Sequence, residues 1–188
     1  MEVLKITDKN SPERLASALR AGKIAVFPTD TVYGLGCLPV AGVAERIFEI
    51  KSRSLDKPLP LLIADLEEAI SLAHFSPAAK DAAAKFWPGP VTLILKSRKV
   101  LPSFVCREGK VALRIPAHSF LREVIRKVGQ AISGTSANLS GEKPPGRLSE
   151  IPEIMLAKVD VIIDGGEVSG KASSVYDLTG PNPILIRP

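Results

Sequence analysis

Four short segments combine hydroxyl, basic and small residues in patterns suited to an anionic ligand. Phe27-Pro28-Thr29-Asp30-Thr31-Val32-Tyr33-Gly34-Leu35-Gly36 follows an apolar run. It offers hydroxyls, and glycines that allow close backbone approach. Lys51-Ser52-Arg53-Ser54-Leu55-Asp56-Lys57-Pro58 gathers Lys51, Arg53 and Lys57 in one loop. Arginine suits bidentate contact with phosphate, and lysine supplies a point charge. Ser133-Gly134-Thr135-Ser136-Ala137-Asn138-Leu139-Ser140-Gly141 can turn several backbone N–H groups onto one anion, with Ser136 and Asn138 adding side-chain donors. Finally, Arg114 interrupts the apolar run Val111–Pro116, and Ala172-Ser173-Ser174-Val175-Tyr176-Asp177 adds two more hydroxyls. A charge inside an apolar run is costly unless it is paired or faces a polar cleft. Each segment also has a plain structural reading: a tight turn, a solvated loop complementing a helix dipole, a surface loop, a structural ion pair. From the residues alone both readings stay open.

Other chemistry is missing. No two glycines four residues apart lead into Lys and Ser or Thr, so there is no phosphate loop of that type. Gly34-Leu35-Gly36 lacks the third glycine of a dinucleotide fingerprint, and no Gly-x-Ser-x-Gly elbow occurs. His74 and His118 stand apart, the latter where a helix starts, and read as surface or cap residues. Cys37 and Cys106 lie 69 positions apart and do not form a zinc pattern. Cys37 reads as a small buried hydrophobe. What is left is binding, or chemistry in which the substrates react with each other.

The elements that must hold these segments alternate along the chain. Strands are expected at Val3–Ile6, Ile24–Phe27, Leu61–Ile63, Val91–Lys96, Val111–Ile115, Ala131–Ser133, Asp160–Ile163, Ser174–Leu178 and Ile184–Ile186. Ser11-Pro12-Glu13 opens a helix to Arg20, and Val40–Ile50 repeats apolar residues at helical spacing. Further helices are expected over Leu66–Ala73, from Ser76-Pro77 to Trp87, over Ser119–Val128 and at Ile154–Lys158. Gly134–Gly146 reads as a loop, and Phe27–Gly36, between a strand and a helix, has a tight turn as its plain reading. This predicts an α/β fold, a single domain over 1–188 with a twisted mixed sheet, because the closing strands lack crossover helices.

The chain has 188 residues, 45% of them hydrophobic and 24% charged, with a net charge of +5. That is one globular domain's worth of core and excludes a disordered class. No apolar run approaches the ~20 residues of a membrane span, so no membrane contact is expected. The first residues lack a signal-peptide pattern, and a cytoplasmic location is the expectation. The mild basic surplus favours anionic partners.

Six motifs in order carry a resemblance: Pro28–Gly36, Lys51-x-Arg53, Trp87-Pro88-Gly89-Pro90-Val91-Thr92, Arg114-Ile115-Pro116, Ser136-Ala137-Asn138, and Ser173-Ser174-Val175 with Asp177. Over essentially its whole length the chain resembles the YrdC-like family of threonylcarbamoyl-AMP synthases, in their single-domain form. The resemblance implies a twisted α/β sheet with a basic concave face. It also implies synthesis of threonylcarbamoyl-AMP from L-threonine, bicarbonate or CO2, and ATP, with release of pyrophosphate. The product would feed tRNA modification through proteins of the threonylcarbamoyl-transfer machinery, and Mg2+ would arrive with ATP. By motif match, threonine falls near Thr31, Arg114, Gly134 and Ser174, with Arg114 on its carboxylate. ATP falls near Lys51, Arg53, Lys57, Ser136, Asn138, Pro144 and Arg187, with Lys51 and Arg53 as the catalytic phosphate holders. The chain departs from the family pattern in three places. It has Lys57 where many members have asparagine, Leu61-Leu62-Ile63 where some have a histidine, and an end at Arg187-Pro188. A tRNA contact along the basic face, or a double-stranded RNA or tRNA binding module without catalysis, is the competing expectation.

Overall fold

The computed structural model describes all of residues 1–188. Chain order runs β1 (Glu2–Lys5), α1 (Ser11–Arg20), β2 (Ala25–Pro28), β3 (Tyr33–Cys37), α2 (Ala44–Lys51), β4 (Leu61–Leu62), α3 (Leu66–Leu72) and β5 (Ala73–His74). It continues with α4 (Pro77–Phe86), β6 (Val91–Ser97), β7 (Cys106–Arg107), β8 (Lys110–Arg114), α5 (Ser119–Val128) and β9 (Ile132–Ser136). After a short 3₁₀ turn come α6 (Glu153–Leu156), β10 (Val161–Asp164), β11 (Ser174–Asp177) and β12 (Ile184–Arg187).

All twelve strands join one sheet in the order β1-β10-β2-β3-β9-β4-β8-β6-β11-β12, with β5 on β6 and β7 on β8. The β1–β10, β10–β2, β4–β8 and β6–β11 pairs are parallel, and the others are antiparallel. The sheet is therefore mixed, as expected for strands joined by short connections as well as helices. Two strands depart from the expectations. Tyr33–Cys37 is a strand and not a turn, pairing β2 on one side and β9 on the other. β9 runs on through Gly134, Thr135 and Ser136, which were expected in a loop. Helix α2 starts at Ala44, because Val40–Val43 form a turn first.

Strand alternation separates two cores. Val26, Tyr33, Leu35, Cys37, Leu61, Leu93, Leu95, Val111 and Leu113 face the larger one, with α2 and α4 over it. Leu4, Ala25, Phe27, Leu62, Ile132 and Ile163 face the smaller one, under α1 and α5. Those two helices pack on each other. Helix α5 puts Phe120, Leu121, Val124, Ile125 and Val128 on one buried stripe. His118 caps its start by accepting the Leu121 N–H at 3.4 Å, and Gly129 at φ 83° ends it. Cys37 is fully buried, and burial pushes its thiol up to about 11, so it is the inert hydrophobe expected.

On the smaller-core face, β3 presents only Gly34 and Gly36, and the Phe27 ring lies across them. A Cβ on Gly36 would sit 2.8 Å from Phe27 Cζ and against the Ser133 carbonyl. Gly36→Ala is therefore expected to destabilise the fold by about 1–3 kcal/mol, through overpacking against backbone that cannot yield. Urea denaturation would show this as a lower midpoint at unchanged slope.

Candidate active site

Helices α1 and α5 cover only one end of the smaller-core face. Over β8, β6 and β11 that face carries an open cavity of about 260 Å³. Here strand alternation brings up Thr92 and Ile94 of β6, and Ala112 and Arg114 of β8. Their neighbours Leu93 and Leu113 fill the larger core. Arg53, Ser136, Ser173 and Arg187 close the rim.

Arg114 is only 6% exposed. Its guanidinium is fixed by three acceptors from three parts of the chain. Nε donates to the Gly89 carbonyl at 3.0 Å, one terminal nitrogen to Thr31 Oγ1 at 3.0 Å, and the other to Asp30 Oδ1 at 2.6 Å. An arginine has five N–H donors, so two remain for a ligand. The Asp30–Arg114 ion pair is buried on the Arg114 side and largely covered on the Asp30 side, and the second Asp30 oxygen, Oδ2, has no partner. Burial pulls the Arg114 pKa down, and Asp30 pushes it back up.

The turn that supplies Asp30 and Thr31 is built by Thr29. Its hydroxyl donates to the Val32 carbonyl at 2.8 Å and accepts the N–H groups of Thr31 and Val32. Outside the turn, Ser169 Oγ and the Gly170 N–H both donate to the Thr31 carbonyl, at 2.7 and 2.8 Å.

Two more guanidiniums reach the cavity. Arg53 donates from Nε to the Lys57 carbonyl at 2.9 Å and from a terminal nitrogen to the Pro58 carbonyl at 3.2 Å. Its pKa is lowered by burial and then by repulsion from Arg187. Arg187 donates to the Ser173 carbonyl at 3.0 and 2.7 Å, and its pKa is lowered by burial and then by Arg114. Ser173 Oγ also shares a hydrogen bond with Thr92 Oγ1 at 3.1 Å. Arg114 thus depresses Arg187, and Arg187 depresses Arg53, which leaves the cavity electropositive.

The structure gathers Thr31, Arg53, Arg114, Gly134, Ser136 and Arg187 around the cavity. The other residues expected from the sequence do not line it. Lys57 is exposed, and only its carbonyl engages Arg53. Pro144 is absent from the lining, and Ser174, next to the lining residues Ser173 and Val175, is paired to β6 with its N–H on the Pro90 carbonyl. Lys51 and Asn138 are buried behind it: the Lys51 ammonium donates to the carbonyls of Ser136 and Asn138. Residues not assigned from the sequence also enter. Asp30 is the counter-charge of Arg114, and Thr92 and Ser173 form a hydroxyl pair. Asp30 and Thr92 sit in motifs already singled out, so the signal was present, but their partners lie more than eighty positions away.

Asp30→Asn keeps the shape but leaves the buried guanidinium without its counter-charge. A loss of about 3 kcal/mol in stability is expected. Chemical denaturation reads it directly, and a change under 1 kcal/mol would contradict the pairing.

Comparison with known proteins places this geometry. The Sua5_yciO_yrdC family model, described as "Telomere recombination", matches residues 17–188. A threonylcarbamoyl-AMP synthase of Pyrococcus abyssi is 41% identical over 92% of this chain and 52% of its own length. One of Bacillus subtilis is 35% identical over 97% of this chain and 56% of its own. A putative one of Methanocaldococcus jannaschii is 33% identical over 99% of this chain and 92% of its own. This chain thus spans about half the length of the first two. The structure of P. abyssi Sua5 complexed with L-threonine superposes with a TM-score of 0.90 at 36% identity, over 100% of this chain and 57% of that one. Escherichia coli YciO gives 0.89 at 26% identity, over 99% and 93%. With residues 17–188 matched by its model and relatives alike over nearly the whole chain, this protein belongs to the Sua5/YciO/YrdC family.

Proposed function

We propose that the chain makes threonylcarbamoyl-AMP from L-threonine, bicarbonate or CO2, and ATP, releasing pyrophosphate. The observation that carries this is the convergence of Arg53, Arg114 and Arg187 on a cavity that offers hydroxyls but no activated side-chain nucleophile. The two free N–H groups of Arg114 suit the threonine carboxylate, with Thr31 and the Thr92–Ser173 pair within the same cavity for its amine and hydroxyl. A cavity of about 260 Å³ suits an amino acid better than a nucleotide. ATP would extend outward over Arg53, Ser136 and Arg187.

The chemistry then belongs to the substrates. The threonine amine attacks CO2, forming an N–C bond and losing a proton. A carbamate oxygen attacks the α-phosphorus of ATP, and the bond to the pyrophosphate oxygen breaks. The arginines orient the two anions and offset the charge growing on phosphate, while the rigid sheet holds the pair in line. Mg2+ would come with the nucleotide. No carboxylate lines the cavity, and Asp30 stands against Arg114 beside it, so the ion's ligands would be phosphate oxygens and water. The product would pass to the proteins that transfer the threonylcarbamoyl group to tRNA. No helix is long and apolar enough to cross a membrane.

Pyrophosphate release should require threonine, bicarbonate and ATP together. RNA binding that collapses with salt, without such turnover, would establish the binding module instead. Arg53→Ala should raise the KM for ATP by at least about tenfold, the loss of one charge-assisted contact worth roughly 1.5–3 kcal/mol. An unchanged KM for ATP would remove Arg53 from the phosphate site.

A further inference from the structure

Lys51 and Arg53 are close in sequence yet do different things. Between them Ser52 sits in the left-handed region, at φ 50° and ψ 45°, and ends α2. The reversal sends Arg53 to the cavity and leaves Lys51, the last residue of α2, only 2% exposed. The Lys51 ammonium donates to two carbonyl oxygens, those of Ser136 and Asn138, the latter at 2.6 Å. The Lys51 carbonyl in turn accepts the Ser140 N–H at 3.0 Å. One residue therefore grips the 136–140 segment at three points.

This grip decides which way the segment's peptides face. A trans peptide plane points its C=O and N–H in opposite directions. With the Asn138 carbonyl drawn to Lys51, the Leu139 N–H must point away from it. Neither the Leu139 nor the Asn138 N–H finds an acceptor in the protein. Ala137 instead donates to the Tyr33 carbonyl at 2.8 Å, and the Asn138 amide donates to the carbonyls of Leu139 and Glu142. The Ser136, Asn138 and Leu139 carbonyls are thus held while the Asn138 and Leu139 N–H groups are open, two and three residues beyond Ser136, which lines the cavity. Open N–H groups in succession form an anion site. Burial, and then repulsion from Arg53, hold the Lys51 pKa down to about 8.

We propose that Lys51 is a positioning residue, which acts on the nucleotide through the Ser136–Leu139 segment and does not itself bind phosphate. The proposal rests on the ATP reading above for its kinetic consequence, but not for its structural one.

Hydrogen exchange on the unliganded protein tests the structural part. In Lys51→Met the Ala137 and Ser140 amides should exchange on the order of tenfold faster or more, as expected when their holding bonds open. Unchanged exchange there overturns the proposal, whatever the substrate. Kinetics test the rest. Lys51→Gln keeps N–H donors without charge, and should hold the KM for ATP within about threefold of wild type. Lys51→Met and Lys51→Arg, which lose the donors or do not fit the buried slot, should raise it on the order of tenfold. The KM for threonine should stay unchanged in all three. A phosphate ligand predicts the reverse order: rescue by Lys51→Arg and failure of Lys51→Gln, and that result overturns the proposal. If Lys51→Met does not fold, the Gln and Arg variants decide. If wild type shows no ATP turnover, the function reading has failed and exchange alone judges the grip.

Discussion

A guanidinium buried in the middle of a sheet is the constraint on which this site depends. Arg114 could not remain charged at its depth without acceptors, because desolvation alone works against the ion. Its three acceptors come from Gly89, Thr31 and Asp30, and each is fixed by other structure. The Gly89 N–H donates to the Ile115 carbonyl at 2.8 Å, one residue beyond Arg114 itself, so the strand end and the loop hold each other. Thr29 builds the turn that presents Asp30 and Thr31, and the Ser169–Gly170 segment pins that turn from outside. The Tyr33 hydroxyl ties the same outer segment to the sheet through Gly165 and Gly166. The ion pair thus ties a strand end, two loops and the covering segment into one assembly.

The same economy explains the glycines. A sheet face that must be both packed at one end and open at the other cannot carry large residues everywhere. Phe27 lies over Gly34 and Gly36, and Leu62 lies over Gly134, where an added Cβ would come within 2.5 Å of Leu62 Cδ1. Bulky side chains from neighbouring strands therefore cover the backbone of β3 and β9. Ser136, at the end of β9, is left at the cavity rim.

These features also mark what could be read from the chain alone. The alternation of apolar residues located most strands, and the clustering of motifs identified most of the cavity. Tyr33-Gly34-Leu35-Gly36-Cys37 was misjudged because its glycines read as a turn. In fact Tyr33, Leu35 and Cys37 alternate perfectly onto the larger core, and the glycines mark a close approach across the sheet. Gly134–Ser136 read as a loop for the same reason. Lys51 poses a different problem. Its residue type and its place beside Arg53 suggested a shared role, and only the left-handed backbone at Ser52 separates them. Such a torsion leaves no signature in a serine.

Charge balance links fold to chemistry. Among Lys51, Arg53, Arg114 and Arg187, only Arg114 has a carboxylate partner. Lys51 is offset by carbonyls, and Arg53 and Arg187 lean on carbonyls as well while repelling their neighbours. The cavity therefore sets like charges against one another, and an anion entering it would relieve repulsion as well as form contacts. A site of this kind gains most from a ligand that is highly charged and becomes more so during the reaction, as a triphosphate does while pyrophosphate departs. In the proposed reaction the same positive field would keep a carboxylate and a phosphate close together when they would otherwise repel. For a reaction whose nucleophile is itself an anion made from the substrate, holding two anions side by side is the larger part of the catalytic task.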